Sequence, residues 1–209
     1  MRKLIVSNIV SLDGCVAGPG GNVMALPMDG FFDEYNLERQ RTADTLLLGA
    51  NSYRGFKGYW PQVAEDPTNS PAVAADPSVA GLHREIGERN NTMRKVVISD
   101  SLTQDDTAPW TDMTTIVPRD QAIEAVRELK QESGTDILTF GSRIMWNSML
   151  VAGLVDELHL MIGSVIVGDG TPAFPQDPVP PFRLIDQRRR EDSNNNILLR
   201  YEVLTPSGG

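Results

Sequence analysis

Short apolar runs alternate with segments of helical period along most of this chain. Residues 3–10 are rich in β-branched side chains and form an apolar run, which predicts a buried first strand. Asp13-Gly14 then marks a turn, and 18–21 a glycine-rich loop. Residues 30–43 predict a helix with Asp29 as its N-cap, and 45–48 a short apolar strand that runs into Gly49. Pro61, Pro67, Pro71 and Pro77 fall in 61–83, which has no strong period and predicts a long surface loop with one helical turn. Strands are expected at 95–99 and 114–117. Ala122, Ile123, Val126 and Leu129 recur at helical spacing, so 120–132 predicts a helix with Gly134 as its C-terminal cap. A strand at 137–140, a helix over 143–152 between Ser142 and Gly153, and a long strand over 156–167 follow. At the end, 182–190 and 197–204 flank a turn at 193–196. Ile197, Leu199, Tyr201 and Val203 share one face, so this end predicts an antiparallel hairpin.

The sum is an α/β domain over 1–209 with about eight strands and four helices. Apolar strands between helices require a largely parallel central sheet covered on both faces, made mixed by the terminal hairpin. A chain of 209 residues with 40% hydrophobic and 22% charged side chains can build such a core without staples. Its net charge of −9 argues against nucleic acid or an anionic membrane surface as a partner. Arg188, Arg189 and Arg190 form a basic run, but Glu191 and Asp192 follow at once, which predicts a solvated strand end. One cysteine, Cys15, allows no internal disulfide and no multi-cysteine zinc site. The basic start and the run after it resemble a signal peptide only superficially, because Ser7, Asn8, Ser11 and Asp13 break the run. No stretch reaches the length needed to span a bilayer. A cytoplasmic protein is the expectation.

The chemistry concentrates where strands run into glycine. From Asp136 to Phe174 an apolar run ends in Gly141-Ser142, a helical segment follows, and a second apolar run leads to Gly168-Asp169-Gly170. A glycine turn that opens a helix past a strand offers unpaired N–H groups and a favourable dipole to a phosphate. Gly49-Ala50-Asn51-Ser52 repeats that pattern, and Ser11-Leu12-Asp13-Gly14 puts an acid at the end of the first strand. Each of these alone is equally compatible with a plain turn or N-cap. Asp33 lies one turn into the first helix, either on the solvated surface or aimed into a cleft. His83 falls in the predicted loop and His159 inside a strand, with no metal-ligand spacing, and Cys15 has no histidine near it in sequence.

Together, SLDG at 11–14, LLLGANSYRGFKGYWP at 46–61, KVVIS at 95–99, the 120–130 helix, DILTFGS, LVAGLVDELHL and VGDGTPAF resemble the dihydrofolate-reductase-like fold. More closely, they resemble the reductase domain of bifunctional riboflavin-biosynthesis proteins and its stand-alone relatives. The resemblance runs from Lys3 to about Val203. It implies a mixed sheet between two helical layers, and NADPH, with NADH as the alternative, laid across the carboxyl edge of that sheet. By the same resemblance Asn8 and Ile9 lie near the nicotinamide. Gly49, Asn51 and Ser52 face one side of the pyrophosphate, and Gly141, Ser142, Arg143 and Ile144 the other. Ser99 lies by the adenosine ribose. Asp33 stands 16 residues before Gly49, which matches the acidic substrate anchor of dihydrofolate reductases. Asp13 is a second substrate-side candidate, and a homodimer is the usual assembly, for which the 156–167 edge strand together with the terminal hairpin is expected to supply apolar surface. Hydride transfer belongs to the cofactor, and the protein positions and polarises.

The implied activity is NAD(P)H-dependent reduction of a small pterin- or pyrimidine-like substrate. A weak dihydrofolate reductase and a non-catalytic nucleotide sensor are the alternatives. The zinc deaminase that accompanies the bifunctional proteins needs a cysteine-rich site and a domain of its own, for which this chain has neither residues nor length. Relatives usually carry arginine where this chain has Ala50, and often where it has Asp100. Both would meet a 2′-phosphate, and Arg143 is the cation best placed in sequence to compensate. The two departures predict weak or reversed discrimination between NADPH and NADH. Titration of both at two salt concentrations checks this, and a strong, salt-sensitive NADPH preference contradicts it.

Overall fold

Apolar side chains on alternate positions of β1 (Leu4–Val10) feed two different cores, which is why the whole strand is buried. Leu4 and Val6 join one cluster and Ile5 the other. The structure is a computed structural model and describes residues 1–191 and 195–204. Its central sheet has the order β5-β4-β3-β6-β1-β7-β10-β9. The strands are β3 (Ala43–Gly49), β4 (Arg94–Ile98), β5 (Thr114–Val117), β6 (Asp136–Phe140), β7 (Glu157–Ile162), β9 (Phe182–Arg189) and β10 (Ile197–Val203). From β5 to β7 all neighbours are parallel, and β10 and β9 continue antiparallel. The expected mixed sheet with a terminal hairpin is therefore present. β2 (Cys15–Ala17) and β8 (Thr171–Pro172) pair separately beside the first turn.

The parallel crossovers require helices. They are α1 (Gly30–Thr42), α2 (Ala50–Glu65), α3 (Pro71–Ala75), α4 (Ala80–Thr92), α5 (Ala122–Gln131) and α6 (Arg143–Val151). Val126 and Leu129 of α5 and Trp146 and Leu150 of α6 pack with Leu4 and Val6. Tyr53 of α2 packs with Ile5, Leu46, Leu48 and Leu138, while Phe31 and Tyr35 of α1 cover Ile9 and Met161. Asp29 caps α1 as expected, since its carboxylate accepts the Phe32 N–H at 3.0 Å.

The structure corrects the predicted map in five places. The 61–83 stretch is no loop: it holds the end of α2, with Pro61 inside that helix, two short turns, α3 and the start of α4. Pro67, Pro71 and Pro77 each begin a turn whose N-cap is Asp66, Ser70 or Asp76. Proline fits the first helical position because the N–H it lacks would have no partner there. The 156–167 strand stops at Ile162, and it is interior, between β1 and β10, so it offers no edge. Gly134 does not cap α5, whose C-cap is Glu132; a Cβ on Gly134 would lie 2.5 Å from an Asp44 carboxylate oxygen. Arg188 and Arg190 sit at the expected strand end and stay partly exposed, but they are paired with Glu38 and Glu34 on α1 and not left to solvent alone. Ser142 precedes α6 without capping it, whereas Gly153 closes it, φ +68°, with its N–H on Leu150 and that of Leu154 on Met149. The predicted 193–196 turn lies partly outside the described residues.

α4 packs against both α1 and α2. At Gly87 the approach is close, since a Cβ would fall 2.8 Å from the Ala64 backbone nitrogen. Gly58, inside α2, faces open space. Gly58→Ala is therefore expected to raise stability by about 0.5–1 kcal/mol. Gly87→Ala should lower it by roughly 1–3 kcal/mol, because overpacking outweighs the helix-propensity gain. Urea unfolding of both variants checks the contrast.

Candidate active site

The carboxyl ends of β1, β6 and β3 lie side by side, because β6 returns between β3 and β1. The chain leaves β6 through two consecutive left-handed residues, Gly141 at φ +55° and Ser142 at φ +52°. Such a pair exposes peptide groups that neither strand nor helix satisfies. Side chains from two other elements satisfy them. Asn8 of β1 accepts the Gly141 N–H through Oδ1 at 2.7 Å and donates Nδ2–H to the Gly141 carbonyl at 3.4 Å. Ser52 Oγ of α2 accepts the Ser142 N–H at 2.8 Å. Ser142 Oγ accepts the Gly49 N–H at 3.0 Å and donates to the Phe140 carbonyl at 3.0 Å. The approach is tight enough that a Cβ on Gly141 would meet Ser52 Oγ at 2.8 Å.

The bracket sets two helix N-termini beside each other, those of α2 and α6, and neither carries a side-chain cap. Their first-turn N–H groups have no intrahelical acceptor, so both ends present positive charge to the same edge. A doubly charged diphosphate suits that donor set. Asn51, Arg143 and Ile144 belong to it, and Ile144 is 70% exposed, whereas the Gly49 and Ser142 amides are already taken by Ser142 Oγ and Ser52 Oγ and border it. Ser52, by contrast, spends its oxygen on Ser142 and shapes the edge from within. Ile9 is buried among Leu26, Phe31 and Met161, so only its backbone is near the edge.

The other predicted residues divide. Ser99, past β4, turns its hydroxyl inward to accept the N–H groups of Ser101 at 3.1 Å and Leu102 at 3.0 Å. The adjoining Asp100 accepts the Arg119 N–H at 2.8 Å and pairs with its guanidinium at 3.5 Å. Arg54 of α2 reaches Ser101 Oγ at 3.4 Å. The Arg143 guanidinium donates its Nε–H to the Pro172 carbonyl of β8. The cations nearest positions 99–101 are thus Arg54 and Arg119. Asp13 holds a turn: Oδ2 accepts the Gly168 N–H at 2.8 Å and Oδ1 the Ser11 hydroxyl at 2.6 Å. These bonds, Ser11's first, hold its carboxyl below the usual carboxylate range.

Asp33 does face an organised environment. Its Oδ2 lies 3.3 Å from Nε2 of His83, which sits in α4 and not in a loop. His83 is buried, its Nδ1 is 3.1 Å from Ser70 Oγ, and its ring lies against Trp60. His159 is a satisfied strand histidine, between the Tyr35 hydroxyl at 2.8 Å and Glu157 at 2.7 Å. Among the described residues no cluster of His, Cys, Asp and Glu could hold a metal, and no helix is long and apolar enough to cross a membrane. The sequence reading missed His83, Ser70 and Arg119 as site neighbours. The Asp-Pro, Ser-Pro and Asp-Pro steps at 66, 70 and 76 were the available signal for helices in that segment.

Comparison with known proteins gives a consistent set. The family model described as the RibD C-terminal domain matches residues 2–198. The YyaP protein of Bacillus subtilis strain 168 is 31% identical over 176 residues, 83% of this chain and 80% of its own. A putative riboflavin biosynthesis protein from Shewanella sp. PV-4 superposes with a TM-score of 0.65 at 17% identity, covering 98% of this chain and all (100%) of that one. A diaminohydroxyphosphoribosylaminopyrimidine deaminase/5-amino-6-(5-phosphoribosylamino)uracil reductase from Thermotoga maritima gives 0.64 at 15%, covering 97% of this chain and 57% of that one. A pyrimidine reductase-like protein from Corynebacterium diphtheriae gives 0.61 at 16%, covering 98% and 93%. These structures share the dihydrofolate-reductase-like fold with this chain.

The Asn8 bracket can be tested alone. Asn8→Leu leaves the Gly141 peptide without its partner and should cost about 1–3 kcal/mol in chemical unfolding. Asn8→Asp keeps the acceptor for the Gly141 N–H and should cost less. Equal losses for both would contradict the acceptor role.

Proposed function

Because the chain belongs to the RibD C-terminal domain family, we propose that it is an NAD(P)H-dependent reductase of a small pterin- or pyrimidine-like heterocycle. The observation that carries this reading is the pair of uncapped N-termini of α2 and α6, bracketed together at the carboxyl edge of the sheet. In an open α/β sheet that edge is where a dinucleotide's diphosphate finds its donors. A reduced nicotinamide, when bound, supplies the hydride. The protein's part is binding and orientation. The amides of residues 50–52 and 143–145 hold the diphosphate, and Asn8 and the Ile9 backbone border the nicotinamide. Arg54 and Arg119 stand near the adenosine end. Arg119 offsets Asp100, so a 2′-phosphate is tolerated without being strongly selected, and either NADPH or NADH serves.

Asp33 takes the substrate side. A carboxylate that accepts ring N–H groups fixes the ring plane and can assist its protonation as the hydride arrives. Asp13 acts less directly, by holding the 167–168 turn at the mouth. The exposed Leu184 and Ile185 of β9, the edge strand of the terminal hairpin, offer apolar surface for a homodimer, so of the two expected contributors the hairpin serves and the interior Glu157–Ile162 strand does not.

The test is oxidation of NADPH and NADH against dihydrofolate, aminopyrimidines, pterins and quinones, on protein whose mass by light scattering is expected to be that of a dimer. Turnover on a compact heterocycle, abolished at least about tenfold in Asp33→Asn, is the expected result. Tight cofactor binding with no turnover on any of them would favour a nucleotide-binding protein. Turnover best on dihydrofolate would favour a weak dihydrofolate reductase.

A further inference from the structure

The 50–92 segment between β3 and β4 carries a hydrogen-bond chain that the proposed chemistry does not yet use. α4 packs against both α1 and α2. Near its start, His83 is buried with its side chain only 4% exposed. Tyr59 of α2 donates its hydroxyl to Ser70 Oγ at 2.9 Å. Ser70, the N-cap of α3, lies 3.1 Å from His83 Nδ1. Burial pushes the Tyr59 phenol up, the Ser70 contact pulls it down, and the nearby Asp33 charge raises it again, so the phenol keeps its proton and stays a donor. Ser70 therefore receives the Tyr59 hydrogen and keeps one of its own, for which Nδ1 is the acceptor within reach when that nitrogen carries no hydrogen.

That order fits one tautomer. With Nδ1 accepting, a neutral His83 ring carries its hydrogen on Nε2, which faces Asp33 Oδ2 at 3.3 Å. The contact is short enough for attraction but not yet aligned as a hydrogen bond, since Nε2 has no aligned partner among the described residues. The Trp60 ring lies nearly parallel to the imidazole, 30° apart with centroids at 6.4 Å, and limits its rotation. Asp33, 21% exposed, is where the chain meets solvent.

We propose that His83 is a positioning residue for Asp33. The Tyr59–Ser70–His83 chain holds Nε2–H on one carboxylate oxygen and turns the other outward, toward the adjacent N–H donors of a compact heterocycle. This rests on the reading of Asp33 as the substrate anchor. It also narrows the substrate class. The ring presents two neighbouring N–H groups, as an aminopyrimidinone does.

Two measurements on the full chain test it. The protein has two histidines, so imidazole ¹⁵N–¹H correlation with a His83→Gln reference assigns His83 directly. The expected spectrum shows the Nε2–H tautomer, lost to a mixture in Ser70→Ala; an Nδ1–H tautomer in the wild type overturns the proposal. Isocytosine is the binding probe, followed by tryptophan fluorescence with NADPH present. Asp33→Asn should weaken it about tenfold or more, and His83→Phe about three- to tenfold. His83→Gln, whose amide nitrogen reaches the Nε2 position, should recover to within about twofold, while His83→Asn should not. If Asp33→Asn binds weakly but His83→Phe binds as wild type, the positioning role fails and the anchor stands. If isocytosine does not bind, or binds Asp33→Asn as tightly as wild type, the anchor itself fails and the positioning role with it.

Discussion

Two consecutive left-handed residues, Gly141 and Ser142, are the constraint around which the cleft is organised. Both peptide groups of Gly141 and the Ser142 N–H lie outside the pattern of β6 and α6, and they are held by Asn8 from β1 and Ser52 from α2. Ser142 returns the contact by accepting the Gly49 N–H at the end of β3. Three strand ends are thereby tied through side chains and not through further backbone pairing. The benefit is indirect: side chains that might have capped α2 and α6 are occupied elsewhere, so the helix amides remain open to a ligand.

A buried polar network holds the opposite wall in place. Burial pushes the Tyr35 phenol up to about 12, so it remains protonated and donates to His159 Nδ1. The His159 hydrogen is then on Nε2 and meets Glu157, whose carboxyl that bond, first among several, holds far below its usual range. Arg200 and Lys3 complete the charge around Glu157. Removing one partner of such a network leaves a buried charge without compensation. The consequence for function is geometric. Tyr35 belongs to the same helix as Asp33, and Asn36 of that helix receives the Ser7 hydroxyl of β1 at 3.1 Å. The substrate-side carboxylate is thus carried on a helix bonded to the strand that also holds the bracket.

Much of this was legible in the sequence. The 3–10, 45–48 and 137–140 runs marked buried strands, and the glycines at 49 and 141 marked the strand-to-helix turns, because apolar continuity and φ-permissive residues are local signals. The 61–83 segment reads as a loop because proline breaks a helix interior, whereas its Asp-Pro and Ser-Pro steps start helical turns. The 156–167 run looked like an edge because apolar content does not report neighbours; only the pairing with both β1 and β10 does. The roles of Ser52 and Ser99 were also beyond local pattern. Local pattern offers both to a ligand, and in the fold the oxygen of each also accepts backbone amides. Arg119 entered as a partner of Asp100 through the packing of β5 on β4, a contact that spans 19 residues of sequence.

The central claim is that the paired N-termini of α2 and α6 hold the diphosphate of a reduced nicotinamide cofactor. Backbone amide chemical shifts recorded during titration with NADPH address it directly. The account predicts the largest, saturable shifts at the amides of residues 49–52 and 142–145, with smaller ones at 8–9 and 99–101. Absence of saturable shifts, or a largest response on another face of the molecule, would contradict it.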